Sequence, residues 1–443
     1  VLALGMAVDA NVLIYERTKE ELKKGLGTKQ ALALGYSNAF SAIFDSNLTS
    51  IITGVILAVF GSGPIRGFAL TLIIGICCSF FTAIYMTRLV YDHKMKKDKW
   101  QNLTFSTPIS RKMPQNTNFN FMGNYKRSFI IWGALTLIFI ISFMFRGFSK
   151  SIDFTGGRNY VVKFEKAVQP EQIRDALEGA FGESTFSAIA LGVDGKTIRI
   201  TTNYKIESNN PATDEEVENI LFTSLKKAGF VTQDSFDKFR NPDIREGGSI
   251  ISSAKVGPSV AKDITRSAVI SVVIAIIAIF LYILLRFRNV AFSLGSTLAL
   301  TFDTIFVLGM YSLLWGLVPM SLEVDQTFIG SILTVIGYSI NDKVVVFDRI
   351  RENMHLYGKR DRWTLFNDSL NQTLARTVNT GSATLLVLII CFFFAGESIR
   401  SFSLAMILGI VFGTFSSIFV AAPIAYFTLG RKERSLGNAA LAK

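Results

Sequence analysis

Ser267–Leu285 carries no charged side chain. At 1.5 Å per residue, an apolar run of that length crosses the hydrocarbon core of a bilayer. Thr384–Phe394 is a shorter apolar run. Segments of this kind commit the chain to a bundle of membrane helices, because a helix satisfies its own backbone where no water is present. Half of the residues are apolar and 38 are phenylalanine, an unusual balance for a water-soluble chain of 443 residues. The formal net charge of +12 first points to nucleic acid. The basic residues do not form an aromatic-laced patch, however. They collect in short loops and at the tail, as expected for loops on the cytosolic side of a membrane. The lipid bilayer is therefore the expected partner, and nucleic acid is not.

Cys77, Cys78 and Cys391 lie in apolar runs and read as small core residues rather than a disulfide framework. His93 and His355 are the two histidines, both in basic stretches. That leaves little for a metal centre or histidine-based catalysis, and no cofactor is expected. Gly61-Ser-Gly-Pro64 lacks the lysine of a phosphate loop and no nucleophile–histidine pair is evident, so an enzyme is the least favoured class. Val1–Tyr15 is too short to span and has no basic leader. It reads as the end of a span that begins upstream, and the sequence as a fragment.

Spans are predicted at about 41–60, 68–91, 128–146, 266–286, 290–314, 326–347, 375–395 and 399–428. Between them, residues 148–264 change character. Strands such as Asn159–Phe164 and Thr197–Thr202 alternate with helical stretches Pro170–Phe181 and Thr213–Ala228. The order predicts a periplasmic ferredoxin-like α+β domain inserted in the bundle. The expected division is 1–92, a membrane half retaining its last three spans; 93–127, a basic cytosolic linker; 128–147, the first span of the second half; 148–264, the periplasmic domain; 265–430, five more spans; and 431–443, a cytosolic tail.

The two membrane parts resemble each other. Gly5–Arg17 aligns without gaps on Gly337–Arg349, and Ile65-Arg-Gly-Phe-Ala-Leu70 on Ile399-Arg-Ser-Phe-Ser-Leu404. Repeats in one orientation are a recurrent transporter plan, with the working site near their interface.

Charged residues stand inside the predicted spans. Asp342 lies six residues before the interfacial Asp348, roughly 9 Å into the membrane at 1.5 Å per residue. Asp9 is at nearly the same depth. Asp45 and Arg376 begin their spans at corresponding places, and Asp303 falls near the midplane. Such charges cost about 3 to 10 kcal/mol, so they face the bundle interior and pair. Four carboxylates against one guanidinium are not all cheaply ionised in a dry interior. Proton uptake and release is the simplest use of the layout, with a structural Asp342–Arg376 salt bridge as the plain alternative. For Asp9 and Asp45 the plain alternative is a hydrogen bond to Asn11, Asn47 or Thr49.

Several motifs then carry a resemblance. Gly5–Arg17 with Asp45-Ser-Asn-Leu-Thr49 is similar to the C-terminal half of SecD. Asp153-Phe-Thr-Gly-Gly157, Val256-Gly-Pro258, Gly337–Asp342 with Val344–Arg349, and Arg376–Thr380 are similar to SecF. The order resembles the fused SecDF protein-export family of the resistance-nodulation-division (RND) superfamily, over nearly the whole chain. The resemblance implies a six-plus-six helical bundle with periplasmic domains in the bacterial inner membrane. It further implies work beside the Sec translocon channel and its accessory membrane proteins, driven by the proton-motive force and acting on unfolded preprotein at the periplasmic face. Protons or sodium would be the coupling ion. Asp342, Arg376, Asp9, Asp45 and Asp303 become the expected relay, and Asp153, Gly156 and Gly157 the periplasmic hinge. An RND exporter of lipids or drugs, or a non-transporting assembly factor, are the rival readings. Two positions depart from the pattern. Lys343 stands where SecF chains carry a small residue, and is expected to face a headgroup or approach Asp45. Phe302-Asp303 replaces a common His-Asp, keeping the acid without the histidine.

Overall fold

The computed structural model describes residues 2–429, apart from 62–63, 98–99, 101–102, 106–116, 183, 192–193, 209, 245–246, 319–321 and 396. The predicted tail, 431–443, lies outside the described residues. Among the described residues, eight helices are long and apolar enough to cross a membrane, and they contain the eight predicted spans.

The chain begins with α1 (Leu2–Lys23) and α2 (Thr28–Phe60). These pack so closely that a Cβ at Gly35 would strike the Thr18 hydroxyl. α3 (Pro64–Phe81) passes through a π turn at Thr82–Met86 into α4 (Thr87–Lys96). α5 is Tyr125–Phe145. After the extramembrane domain come α10 (Pro258–Phe287), α11 (Val290–Leu314), α12 (Gln326–Leu356) and α13 (Arg362–Phe394). Last is α14 (Glu397–Ser416), which passes through a second π turn, Ser417–Ala421, into α15 (Ala422–Thr428). The α10–α11 corner turns at Arg288, in the left-handed region at φ 52°, and Asn289 caps α11 by accepting from the Ala291 amide at 2.8 Å.

Helix α12 is the axis of the bundle. Every residue from Gly330 to Phe347 is buried, including Asn341, Asp342 and Lys343. Phe328, Ile332, Leu333 and Ile336 join α11 and α10 in the main apolar core. Val335 and Tyr338 join Met6 and Met406 in a second one. The outer helices expose apolar side chains such as Ile130, Phe145, Leu285 and Phe394, the surface a lipid environment covers. Cys77 and Cys78 also lie on this exposed face and Cys391 is half-buried. The expectation that they are core residues is corrected: a thiol in an apolar run meets lipid as readily as protein.

The last residues of the predicted linker are not a free connection. Asn371 accepts from the Phe119 amide and donates to the Phe119 carbonyl, both at 2.9 Å, while Asn367 accepts from the Met122 amide at 3.1 Å. Two asparagines one turn apart on α13 thus strap this segment to the bundle.

The extramembrane domain contains a single-turn helix α6 (Ile152–Thr155), β1 (Gly157–Lys163), α7 (Pro170–Leu177), β2 (Phe186–Leu191), β3 (Thr197–Thr202), α8 (Pro211–Lys227), α9 (Phe236–Arg240) and β4 (Ser249–Val256). All strand pairs are antiparallel, in the order β2-β3-β1-β4. The alternation of β1 and β3 buries Tyr160, Val162, Ile198 and Ile200 against Ile173, Val217 and Leu221 of the helices. Buried Arg158 faces Asp214 and the Ser208 carbonyl, tying β1 to the start of α8.

This domain is joined to the bundle at a second place besides its chain ends. Lys150 and Val324 form a parallel β-bridge, with the Val324 amide donating to the Ser149 carbonyl at 2.7 Å and the Ser151 amide to the Val324 carbonyl at 3.1 Å. Arg199 of β3 reaches Glu323 at 2.6 Å. Asp325 then caps α12, accepting from the Phe328 amide at 2.7 Å.

Candidate functional site

The ungapped match between Gly5–Arg17 and Gly337–Arg349 becomes physical contact. A Cβ at Gly5 would come within 2.8 Å of Thr384, and one at Gly337 within 2.5 Å of Thr53. Thr53 follows Asp45 by eight residues and Thr384 follows Arg376 by the same eight. Each half therefore places its glycine against the other half's threonine. These close approaches bring α1, α2, α12 and α13 together around the buried charges.

Asp9 is held by neutral donors from the opposite half. Asn341 Nδ2 donates at 2.7 Å and Thr380 Oγ1 at 2.8 Å. Asp342 accepts from Thr414 Oγ1 at 3.0 Å. Asp9 and Asp342 lie within electrostatic reach of each other and of Tyr338. Arg376 is near Asp9, Glu16 and Asp342, yet among the described residues no carboxylate lies within 4 Å of its guanidinium. The Asp342–Arg376 salt bridge, the plain alternative to a proton relay, is not formed. Arg376 instead borders a gap with Asp9 and Asn47 that is too tight for water, and lines a small cleft with Glu16, Arg17, Asp45, Arg286 and Asp348. It stands between the buried acids and the basic face of the bundle.

The other two acids belong elsewhere. Asp45 pairs with Arg286 at 2.5 Å and accepts from Tyr282 at 3.0 Å, both on α10. Asp303 pairs with Lys343 at 2.8 Å and accepts from Ser339 Oγ at 2.7 Å. Lys343 thus reaches neither a headgroup nor Asp45. One residue beyond Asp342 is a turn of about 100°, which carries it to the α11 side of the helix. The five expected relay residues form three groups: Asp9, Asp342 and Arg376; Asp45 with Arg286; and Asp303 with Lys343. Neither Asp9 nor Asp45 uses Asn11, Asn47 or Thr49, since Asn11 donates to the Ala7 carbonyl, Asn47 to Ile43 and Thr49 to Ser46 within their own helices.

At the far end, Asp153, Gly156 and Gly157 form a close-packed joint. Ser151 caps α6, and Asp153 Oδ2 accepts from the Gln326 amide at 3.2 Å. Gly156 has φ 72° and ψ 155°, a region that side chains resist, and lies against Pro258. A Cβ at Gly157 would meet Ile152 at 2.9 Å and the Thr202 carbonyl at 3.2 Å.

The family model for the C-terminal part of SecD and SecF protein-export membrane proteins matches residues 1–96 and 240–431, and the SecD/SecF GG motif matches 141–168. The chain belongs to the SecD/SecF family. It is 33% identical to the protein translocase subunit SecDF of Brucella abortus, over 99% of this chain and 54% of that protein. It is 37% identical to the protein translocase subunit SecF of Rhodothermus marinus, over 70% of this chain and 93% of that one. The crystal structure of SecDF from Thermus thermophilus, described as a translocon-associated membrane protein, superposes with a TM-score of 0.79 at 32% identity, covering 96% of this chain and 53% of that one. The chain spans about half the length of the SecDF relatives it matches. It is a multi-pass membrane protein of this family.

Nothing in this SecD/SecF chain's sequence marks Arg286, Tyr282, Thr414 or the Arg199–Glu323 pair as site residues. Arg286 reads as an ordinary loop-flanking cation, and a threonine in an apolar span carries no signal until an acid is placed opposite it. Thr380 and Asn341 do lie within motifs that carry the resemblance.

Proposed function

We propose that this chain forms part of a proton-driven accessory of the Sec protein-export machinery in the bacterial inner membrane, acting with the translocon channel on unfolded preprotein at the periplasmic face. One observation carries the reading. Two buried carboxylates, Asp9 and Asp342, are held by neutral donors at the joint of the two halves, with Arg376, which has no carboxylate within 4 Å among the described residues, between them and a cleft. A carboxylate held by neutral donors changes protonation without breaking an ion pair. Asp342 takes up a proton, its attraction for Arg376 falls, and the halves shift against each other. The names of the relatives as translocase subunits support export over drug or lipid efflux, and an accessory role over an enzyme.

The reciprocal Gly5–Thr384 and Gly337–Thr53 contacts and the two π turns support an RND-like pseudo-repeat. The strand order β2-β3-β1-β4, in a β-α-β-β-α-β chain, supports a ferredoxin-like periplasmic domain at 148–264. Asp153, Gly156 and Gly157 then form the joint through which bundle motion reaches that domain. The test is secretion in vesicles with an imposed proton gradient. Asp342→Asn should abolish the stimulation by the gradient, and unchanged stimulation refutes the reading.

A further inference from the structure

The buried oxygens around Lys343 form a cage for a cation. Its Nζ lies 2.8 Å from Asp303 Oδ2, 2.6 Å from Ser339 Oγ and 3.4 Å from the Ser339 carbonyl oxygen. Both charged side chains have zero exposure. Asp303 Oδ1 is also buried and has no hydrogen-bond partner, so the ammonium leaves part of the carboxylate unsatisfied. Gly413 of α14 closes the cage, where a Cβ would intrude on Ser339 Oγ. A carboxylate, a hydroxyl and a carbonyl are hard oxygen donors, the set that binds hard metal cations. A fully buried carboxylate that stays ionised is stabilised by a positive charge beside it, whatever its source.

We propose that Lys343 is a tethered cation occupying a monovalent metal-ion site built by Asp303 and Ser339, and that it frees this chain from any need for a bound sodium or potassium ion there. Lys343 is thus the residue that sets ion dependence. The site lies about 100° round α12 from Asp342, with Gly413 of the cage next to the Thr414 that donates to Asp342, and its test reads stability rather than export. Failure of the proton-coupling reading and failure of this proposal are therefore distinguishable.

The experiment compares melting of the purified protein in sodium, potassium and choline chloride at equal ionic strength. The unaltered protein should melt alike in all three. Lys343→Ala should melt lower in choline and recover by more than about 2 °C in sodium or potassium, saturably, as binding to the folded state requires. The better of the two salts names the ion. Lys343→Ala combined with Asp303→Asn should lose the response. A Lys343→Ala protein that melts alike in the three salts overturns the proposal. So does one that fails to accumulate in membranes of cells grown in high-sodium or high-potassium medium, since a free ion should then replace the ammonium.

Discussion

Asp9 and Asn341, equivalent positions in the two matched segments, are hydrogen-bonded to each other at 2.7 Å across the α1–α12 contact. One half supplies an acid and the other its amide, so the joint is symmetric in plan and unlike in chemistry. Asn341→Ala leaves a buried carboxylate oxygen without its donor, a loss of about 1 to 3 kcal/mol. Thermal unfolding in detergent should show the drop, and Asn341→Gln should not restore it if the geometry is as tight as the packing of Gly337 implies.

Arg376 is predicted to act by charge and reach rather than by a fixed salt bridge. Arg376→Lys keeps the charge but loses the planar fork and length that let it border both the Asp9 gap and the cleft. Proton flux into vesicles should fall about tenfold or more, a barrier change of about 1.4 kcal/mol. Melting should move little, because no ion pair is lost.

The Lys343–Asp303 pair behaves in the opposite way. Lys343→Met strands a fully buried carboxylate and should destabilise the protein by about 3 to 5 kcal/mol. Adding Asp303→Leu should recover most of that loss, giving a large coupling energy in a double-mutant cycle. Additive single effects would contradict the pairing.

The seat of the extramembrane domain is predicted to depend on pH. Burial raises the Glu323 carboxyl above its ordinary 4.5 despite the opposing pull of Arg199, and burial likewise raises Asp325 above 3.8. A carboxyl that holds its proton more tightly when folded contributes stability that is complete below its unfolded value and lost as pH rises through the folded one. The Lys150–Val324 bridge should therefore be better protected near pH 4.5 than at neutral pH. Hydrogen exchange at the Ser151 and Val324 amides, corrected for intrinsic rate, measures this. Arg199→Met removes the opposing pull and should steepen the loss.

Gly156→Ala forces a side chain into φ 72°, ψ 155° against Pro258, at a cost of about 1 to 3 kcal/mol. Unfolding of the extramembrane domain should shift accordingly. A cysteine cross-link between positions 150 and 324 should leave the fold intact and halt export, if motion at this joint is used.

The eight spans, the strand alternation of 157–202 and the list of acids in the membrane were all legible along the chain. They depend on local quantities: run length, period, and the cost of a charge in lipid, which says that Asp9, Asp45, Asp303 and Asp342 must each find a partner. Which partner each finds is not local. Asp45 takes Arg286 from 241 residues away, Asp303 takes Lys343 from 40 away, and Asp9 takes Asn341 and Thr380, while Arg376 meets no carboxylate within 4 Å among the described residues. A rotation of about 100° per residue puts Asp342 and Lys343 on different sides of α12, but only the helices packed around that axis decide what each side meets. The sequence by itself determined that charges are buried at the joint of two similar halves. The tertiary structure decided that they divide into two ion pairs and one site held by neutral donors.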